Sequence, residues 1–381
     1  MDFYLTEEQR LLKESLDRLI GDRYAFEQRK SYAQAPEGWS RELWAQYAEL
    51  GLLGLPFAEE YGGSAGGPVE TMIAMEAFGS ALALEPFLAT VVLGGGFLRH
   101  GGSAQQCADL VPKIADGSLT LAFAQTERHS RYDLADISTV ASRDGAAWVL
   151  DGEKGVVLHG DSADRLIVTA RVGGGRRDRD GVGVFIVDGK AAGVSRRGYP
   201  TQDGQRAAEV VFADVRVAPH DVLGAPEGAA PIIERAVSET IAALSAEAVG
   251  AMSEALAMTV DYLKTRKQFG VAIGSFQALQ HRAADMTVAL EQARSMMYLA
   301  TMMADEDDAD ERAKAISAAK TQIGRSAKFI GQQAVQMHGG IAMTYEYKVG
   351  HLFKRLTMID AAYGDADLHV RKLADQGSLF A

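Results

Sequence analysis

The chain has 381 residues, enough for two or three domains or for one large domain. It is 47% hydrophobic and 24% charged, which is typical of globular proteins. The formal net charge of −12 argues against a nucleic-acid partner and against an anionic membrane surface, because both require a basic face. The single cysteine, Cys107, excludes an internal disulfide and indicates a reducing compartment.

The first ten residues are partly charged and lack the apolar core of a signal peptide. Nowhere does an apolar run reach the roughly 18 residues that a membrane-spanning segment requires. We therefore expect a cytoplasmic protein without a membrane partner.

The N-terminal region carries helical patterns. A leucine stripe over 11–19, preceded by Thr6, predicts a first helix, and Ala104–Leu110 predicts another that ends before Pro112. The run Gly94–Gly96 is followed by neither the lysine nor the hydroxyl residue of a phosphate loop, so we predict a packing or turn role.

The middle of the chain changes from the helical period to short β-type runs. Asp-Gly turn dipeptides separate these runs, and no long helix interrupts them, so we predict a small antiparallel barrel or sandwich instead of a Rossmann unit. The glycine- and arginine-rich stretch 173–180 is predicted to be a flexible loop. The runs are Thr120–Ala124, Ala147–Leu150, Leu166–Ala170, Gly183–Val187, Val210–Phe212 and Val215–Val217.

The C-terminal third is helical again. Apolar residues recur at steps of three and four over 241–263, 279–300 and 316–337, which predicts three long helices. A shorter helix is predicted after Tyr345. The number of these helices and the length of the loops between them predict a four-helix bundle. The predicted class is thus α+β, mostly α, with an N-terminal helical domain (1–120), a central small β-barrel or sandwich (121–225) and a C-terminal four-helix bundle domain (226–381).

A basic and aromatic corner, Arg266–Gly270, separates the first two long helices. Such a corner in a helical hairpin suggests an anion or cofactor contact. A merely solvated loop is the alternative that the corner alone leaves open.

Four motifs, in this order, resemble those of the acyl-CoA dehydrogenase family over essentially the whole chain. They are LTEEQR from Leu5, AELGLLGLPFAEEYGG from Ala48, TRKQFGVAIGSFQALQHRAADM from Thr265 and VQMHGGIAMTYEY from Val335. The resemblance implies the helical, β-barrel, helical-bundle order, FAD bound in the cleft between the β domain and the bundle, and a dimer or tetramer. It also implies desaturation of an acyl-CoA thioester, with electron-transfer flavoprotein as the acceptor. In this reaction a carboxylate removes a proton beside the thioester while the flavin takes a hydride.

One set of family site residues is present. The resemblance implies that these residues bind the ADP half of FAD, largely the FAD of a neighbouring subunit, and that the diglycine lets backbone approach a phosphate. Shaping of the turns alone is the alternative. The residues are Arg266, Phe269, Gln277, Gln336, Gly339 and Gly340.

A second set is altered. In the stretch that resembles the family's flavin-cradling loop, 126–133, Tyr132 stands where the family has a small serine. The run whose hydroxyl group faces the flavin N5 atom in the family here reads Val156–Leu158, and leucine cannot donate a hydrogen bond. The usual catalytic glutamate falls on Tyr363, and the alternative glutamate position of some relatives falls on Thr240, before Ile241.

Three nearby carboxylates are candidates for a displaced base: Asp365, Asp367 and Glu239. The other interpretation is that these carboxylates are solvated or cap helices. We favour it, because even a small misplacement of a catalytic base lowers the reaction rate strongly. Glu247 is interpreted as a member of a buried ion pair. The histidines show no metal-ligand spacing, so no metal site is predicted.

These observations lead to the hypothesis of a non-catalytic subunit in a hetero-oligomeric acyl-CoA dehydrogenase, paired with a homologous catalytic subunit. The chain resembles the small or β-type subunits of such enzymes, for example of pimeloyl-CoA dehydrogenase. Two alternatives stay open: a self-sufficient homo-oligomer with Asp365 as the base, and a flavin-free protein that binds acyl-CoA or acts as a scaffold.

Overall fold

A computed structural model describes residues 5–377. Its N-terminal part is helical, as predicted, and the first helix begins with a capping box in which Thr6 and Gln9 exchange side-chain and backbone hydrogen bonds. A π-helical stretch, Leu88–Gly94, leads directly into the fifth helix. The six helices are α1 Glu7–Arg23, α2 Phe26–Ala33, α3 Arg41–Glu49, α4 Pro68–Ala81, α5 Gly95–Gly101 and α6 Ala104–Ala115.

Two local predictions in this region have clear outcomes. The run Gly94–Gly96 is buried inside helix, and a Cβ atom on Gly95 would come within 2.6 Å of the Phe57 ring, so its predicted packing role is confirmed. The predicted end of α6 before Pro112 is wrong, because the helix continues through the proline to Ala115. Proline removes one backbone donor, and burial of Val111 and Ile114 in the last turns offsets this loss.

The central part forms one eight-stranded sheet in the order β6-β7-β3-β2-β4-β5-β8, with β1 paired to β4. The predicted runs Val210–Phe212 and Val215–Val217 are parts of one strand. The strands are β1 Leu121–Ala124, β2 Val140–Asp144, β3 Ala147–Leu158, β4 Arg165–Arg171, β5 Val182–Asp188, β6 Val194–Pro200, β7 Arg206–Val217 and β8 Val222–Leu223.

Most strand pairs are antiparallel, as predicted, but β4 pairs in parallel with β1, with Leu121 opposite Arg165, and with β2, with Val140 opposite Arg171. One face of the sheet encloses an aromatic and aliphatic core in which Trp148 meets Phe185 edge to face. The loop 173–180 is anchored, because the Arg171 guanidinium donates to four carbonyl oxygens around it.

The C-terminal part is the predicted helical bundle. The third long helix, α9, packs against α8, α10 and α11, and its predicted apolar stripe, which runs from Ile316 to Met337, is buried. Asp308 caps its N-terminus. The helices are α7 Ala230–Thr265, α8 Gln277–Met303, α9 Ala309–His338, α10 Lys348–Ala361 and α11 Ala366–Asp375, with a two-strand hairpin, β9 Lys267–Gln268 and β10 Val271–Ala272, between α7 and α8.

The predicted fold class is therefore confirmed. The described residues pack as two compact units: one contains 5–31, Pro68–Ala83 and 241–377, and the other contains Tyr32–Gly67 and Leu84–Thr240. We call them the bundle unit and the sheet unit. The predicted domain limits at 120 and 225 stay predictions.

Within residues 5–377, α7 is the one helix whose length and composition would allow it to cross a membrane. Core helices of globular proteins pass the same test, and 72% of the most apolar window of α7 is buried inside the protein.

Candidate functional site

The basic corner is a tight hairpin turn in the bundle unit. β9 and β10 are joined through Phe269 and Gly270, whose φ angles of +54° and +81° are both positive. Positive φ at both central positions is the backbone of a type I′ turn, which glycine favours. The turn presents Phe269 to solvent at 91% exposure and leaves Arg266 exposed at its base. The corner is therefore free to contact a molecule outside this chain.

The diglycine follows the last residue of α9. Gly339 has φ +67° and ψ −143°, a conformation that side chains disfavour. A Cβ atom built on either Gly339 or Gly340 would meet nothing within 4 Å, so both glycines face open space. Backbone in this position is open to close approach by a phosphate.

All six predicted cofactor residues lie in the bundle unit and are exposed. Gln277 is the first residue of α8, and Gln336 lies on the last turn of α9. The corner and the diglycine are connected through a ring stack of Tyr262, near the end of α7, and His338, with their centroids 4.5 Å apart. The sequence did not single out Tyr262, because only the tertiary packing brings it to His338.

The stretch 126–133 of the sheet unit is fixed by a buried ion pair. Glu127 accepts hydrogen bonds from the Lys154 ammonium at 2.7 Å and from the backbone of Ser138 and of Thr139. Burial acts to raise the pKa of Glu127, but the Lys154 charge and the Thr139 hydrogen bonds outweigh it and lower the pKa. Burial lowers the pKa of Lys154 to about 8, against the attraction of Glu127. Tyr132 is half-buried in the same loop.

Leu158 ends β3, opposite Ala207 of β7. It is half-buried, Val157 is buried, and Val156 is exposed with φ +51°. The run thus offers apolar side chains where the family has a hydroxyl group. The run lies at an irregular end of β3, because the pairing register with β7 shifts between Lys154 and Val157.

Tyr363 lies in the turn between α10 and α11 with φ +57°, and its carbonyl oxygen is 3.2 Å from Nε2 of His369. Burial raises the pKa of the Tyr363 hydroxyl well above its ordinary value, so the group stays protonated at neutral pH. A protonated phenol cannot remove a proton from a thioester substrate. The position that the sequence predicts for the usual base therefore lacks one.

The carboxylates considered as displaced bases have structural contacts. Asp365 is the N-cap of α11 and accepts from the Leu368 N–H at 2.8 Å, while Asp367 is exposed in the first turn of the same helix. Helix capping is the role that we favoured for Asp365 from the sequence. This contact leaves the carboxylate of Asp365 committed to the backbone of α11.

Glu239 contacts two arginines and a histidine. It forms an ion pair with Arg99, accepts from His100 at 2.5 Å, and lies 3.6 Å from Arg235. Burial acts to raise its pKa, but His100 and Arg99 lower it below the ordinary value. The hydroxyl group of Thr240 donates to the Ala236 carbonyl oxygen. A carboxylate held in this way is a poor proton acceptor.

Glu247 forms the buried ion pair that we predicted, a bidentate contact with Arg355 at 2.5 and 2.7 Å. Among residues 5–377, the structure contains no group of three or more histidine, cysteine, aspartate or glutamate side chains that could hold a metal ion.

Comparison with protein families gives three matches in chain order. Residues 6–118, 122–215 and 230–377 match the models described as acyl-CoA dehydrogenase N-terminal, middle and C-terminal domains. A curated relative, acyl-CoA dehydrogenase FadE12 of Mycobacterium tuberculosis, is 32% identical over 352 residues, which cover 91% of this chain and 90% of the relative.

Solved structures agree with these matches. A variant of the Tcur3481-Tcur3483 steroid ACAD superposes with a TM-score of 0.87 at 28% identity and covers 97% of each chain. The FAD complex of PigA superposes with a TM-score of 0.89 at 27% identity, covering 99% of this chain and 100% of the other.

Proposed function

Because the chain belongs to the acyl-CoA dehydrogenase family of oxidoreductases, we propose that it is the non-catalytic subunit of a hetero-oligomeric member. In this assembly a homologous sister chain supplies the base and holds the flavin ring, and the present chain binds the ADP end of the sister's FAD. The observation that carries the proposal is an asymmetry. The six residues that resemble the family's ADP-binding residues are present and exposed, while the position predicted for the base holds a tyrosine that is protonated at neutral pH.

The residues of the bundle unit fit one end of FAD. Arg266 supplies a permanent positive charge that matches a pyrophosphate, and Gly339 and Gly340 leave room for phosphate oxygens beside the backbone. Phe269 offers an exposed ring for contact with the nucleotide. When bound, FAD accepts the hydride of the desaturation reaction.

The residues that would hold the flavin ring of an FAD bound by this chain itself fit poorly. Leu158 cannot donate to a ring nitrogen, and Tyr132 brings bulk where the family has a serine. This chain's contribution is therefore binding and orientation, and the proton of the substrate goes to a carboxylate of the sister chain.

Partners and location belong to the same proposal. The double name Tcur3481-Tcur3483 of one structural relative supports a hetero-oligomeric assembly. The FAD complex of PigA, another structural relative, supports FAD as the cofactor. Because that first relative is a steroid enzyme, ring-bearing acyl-CoA thioesters belong among the substrates to be tested. The family resemblance supports electron-transfer flavoprotein as the electron acceptor. The single cysteine, Cys107, which is buried and unpaired with another cysteine, supports the cytoplasm as the location.

The test is a comparison of visible spectra. We expect the chain purified alone to lack flavin absorbance, and the complex co-expressed with a sister chain from a neighbouring reading frame to carry about one FAD per pair. Stoichiometric flavin on the lone chain that is bleached by an acyl-CoA would instead support the self-sufficient enzyme. Absence of flavin from both preparations would support the flavin-free alternative.

Variants of the complex assign the contacts. Arg266→Ala removes a charge-assisted contact with the pyrophosphate, which contributes about 2 kcal/mol. We therefore expect this variant to weaken FAD binding by more than tenfold. Lys264→Ala, an exposed cation two residues earlier, is the matched control and should leave FAD binding unchanged.

The alternative base is tested by Asp365→Asn. Asparagine caps helices about as well as aspartate but cannot accept the substrate proton. We expect the complex to keep its turnover, whereas a loss of several orders of magnitude would identify Asp365 as the base.

A further inference from the structure

The two segments proposed to bind the ADP end have little packing of their own. Every residue from Lys264 to Val271 is exposed, and so are Gly339, Gly340 and Ile341. Segments with few buried contacts open readily, and a flexible site pays an ordering cost when it binds a ligand. A buried contact is therefore needed to fix the position of the two segments relative to each other.

His338 provides this contact. It is the last residue of α9, immediately before the diglycine, and is only 4% exposed. Its ring stacks on Tyr262, four residues before Arg266, with centroids 4.5 Å apart and 29° between the planes. On another side the ring of Tyr347, the residue before α10, lies 5.2 Å away. One imidazole ring thus touches the end of α7, the end of α9 and the start of α10.

The imidazole is held in a single orientation. Its Nδ1 atom is 2.8 Å from the Ala334 carbonyl oxygen, so Nδ1 carries the proton and donates it. Nε2 is buried and makes no hydrogen bond within normal geometry to the described residues. Burial lowers the pKa of His338, against the pull of the Ala334 and Met258 carbonyl groups, which keeps the ring neutral at pH 7.

We propose that Tyr262, His338 and Tyr347 form a positioning stack that fixes the Arg266 corner relative to the Gly339–Gly340 loop, in the placement that the ADP end of FAD requires. The stack touches no cofactor; it acts through the residues that do. This inference rests on the proposed function for its ligand, but the mechanical coupling of the two segments can be measured without any ligand.

Hydrogen exchange measured by mass spectrometry on the full chain tests the coupling. In His338→Ala we expect faster exchange in both 262–276 and 339–347, whereas His338→Phe, which keeps an aromatic ring, should exchange like the wild type. His369→Ala is the matched control: it removes another buried histidine, 1% exposed, whose contacts are to Ser317 and Tyr363, and should leave both segments unchanged. If the alanine variant fails to fold, Tyr262→Ala opens the stack from the half-buried side and should give the same two-segment pattern.

ADP is the probe for function, and its affinity is measured by titration calorimetry on the co-expressed complex after removal of its FAD. We expect His338→Ala to weaken ADP binding by about tenfold and His338→Phe to restore it, because the lost preorganisation has to be supplied on binding. Faster exchange in only one segment overturns the coupling. Faster exchange in both segments with unchanged ADP affinity reduces the stack to a structural role. A wild-type complex that binds no ADP after removal of its FAD overturns the proposed function itself, and the positioning role with it, whatever the exchange shows.

Discussion

Lys154 is fully buried and keeps its charge because of Glu127. Its pKa is already lowered to about 8 by burial, and the carboxylate at 2.7 Å is the group that opposes this shift. In Glu127→Gln the ammonium loses its partner, which typically costs about 3–5 kcal/mol for a buried pair. We expect a loss of this order in the free energy of unfolding at pH 7, measured by urea titration.

The loss should depend on pH in a defined direction. Without Glu127 the folded-state pKa of Lys154 falls further, so the unfolded chain binds more protons at pH 7 and stability rises with pH until the amine is neutral. The deficit of Glu127→Gln should therefore shrink from pH 7 to about pH 8, where folded wild-type Lys154 also loses its proton and the two stability curves become parallel. Glu153→Gln, at an exposed pair with Arg128, is the control and should cost less than about 0.5 kcal/mol. An equally large loss in that control would show that the change of residue type, and not the burial of the pair, matters.

His369 makes folding sensitive to acid. It is buried, and burial lowers its pKa to about 4, with the nearby Lys372 and Lys320 acting in the same direction. An unfolded histidine has a pKa near 6.5, so the unfolded chain binds the proton first as the pH falls. Stability from this group is present above pH 6.5 and is lost progressively down to pH 4, by up to about 3 kcal/mol.

The measurement is the free energy of unfolding from pH 7.5 to pH 4.5, for the wild type and for His369→Gln. Glutamine keeps hydrogen-bonding capacity but does not titrate. The difference between the two proteins should change steadily below pH 6.5. Parallel curves would mean that His369 is protonated as easily in the folded protein as in the unfolded chain.

At the scale of elements, α4 and α7 cross at backbone contact. A Cβ atom on Gly250 of α7 would lie 1.9 Å from the Glu76 carbonyl oxygen, and one on Gly79 of α4 would lie 1.9 Å from the Glu247 carbonyl oxygen. The glycines therefore set the distance between the two helices. Gly250→Ala must push them apart, and overpacking of this kind costs about 1–3 kcal/mol, which thermal unfolding should detect as a lower melting temperature.

The control for this prediction has the opposite sign. Gly21 is also helical, but a Cβ atom there would meet nothing within 4 Å. Gly21→Ala should stabilise the protein by up to about 1 kcal/mol, because alanine restricts the unfolded chain and favours the helix. If both variants shift the melting temperature in the same direction, Gly250 is not required for the close approach of α4 and α7.

The sequence predicted well the elements that are governed by local pattern. The steps of three and four gave the three long helices, because burial of one face repeats with the helical period. The partnership of Glu127 with Lys154, 27 residues apart, and the parallel pairing of β1 with β4 depend on tertiary packing and leave no periodic signal. The helix end predicted at Pro112 is wrong for a related reason. Burial of the neighbouring side chains outweighs the local tendency of proline to end a helix.

The candidate site was predictable in composition but not in placement. Arg266 and the diglycine are visible as motifs, and the loss of the usual base at Tyr363 follows from counting along the chain. The sequence left solvation and helix capping open for Asp365, and the structure shows capping. That Glu239 contacts Arg99 and His100 of α5 required the structure. Side-chain roles of this kind depend on which groups the fold brings within hydrogen-bond distance.

At the scale of the whole molecule, the altered residues are distributed over three elements. Tyr132 lies in the loop after β1, Leu158 ends β3, and Tyr363 lies between α10 and α11. In the proposed hetero-oligomer these positions are free to change, because the sister chain performs the chemistry. A loss spread over separate elements cannot be reversed at one of them, since orientation, hydrogen bonding to the flavin and the base are all needed together.

Tyr363→Glu returns a carboxylate to the position of the usual base, on a turn that His369 still holds through the carbonyl of residue 363. Leu158 and Tyr132 remain, so we expect this variant, purified alone, to show neither flavin absorbance nor acyl-CoA-dependent reduction of an artificial dye. In the complex, Tyr363→Phe should leave turnover unchanged, because the tyrosine hydroxyl group serves no proton transfer. Turnover by the lone Tyr363→Glu chain would show that the flavin ring can bind without the family's hydroxyl contacts, and the division of labour between two chains would then have no physical basis.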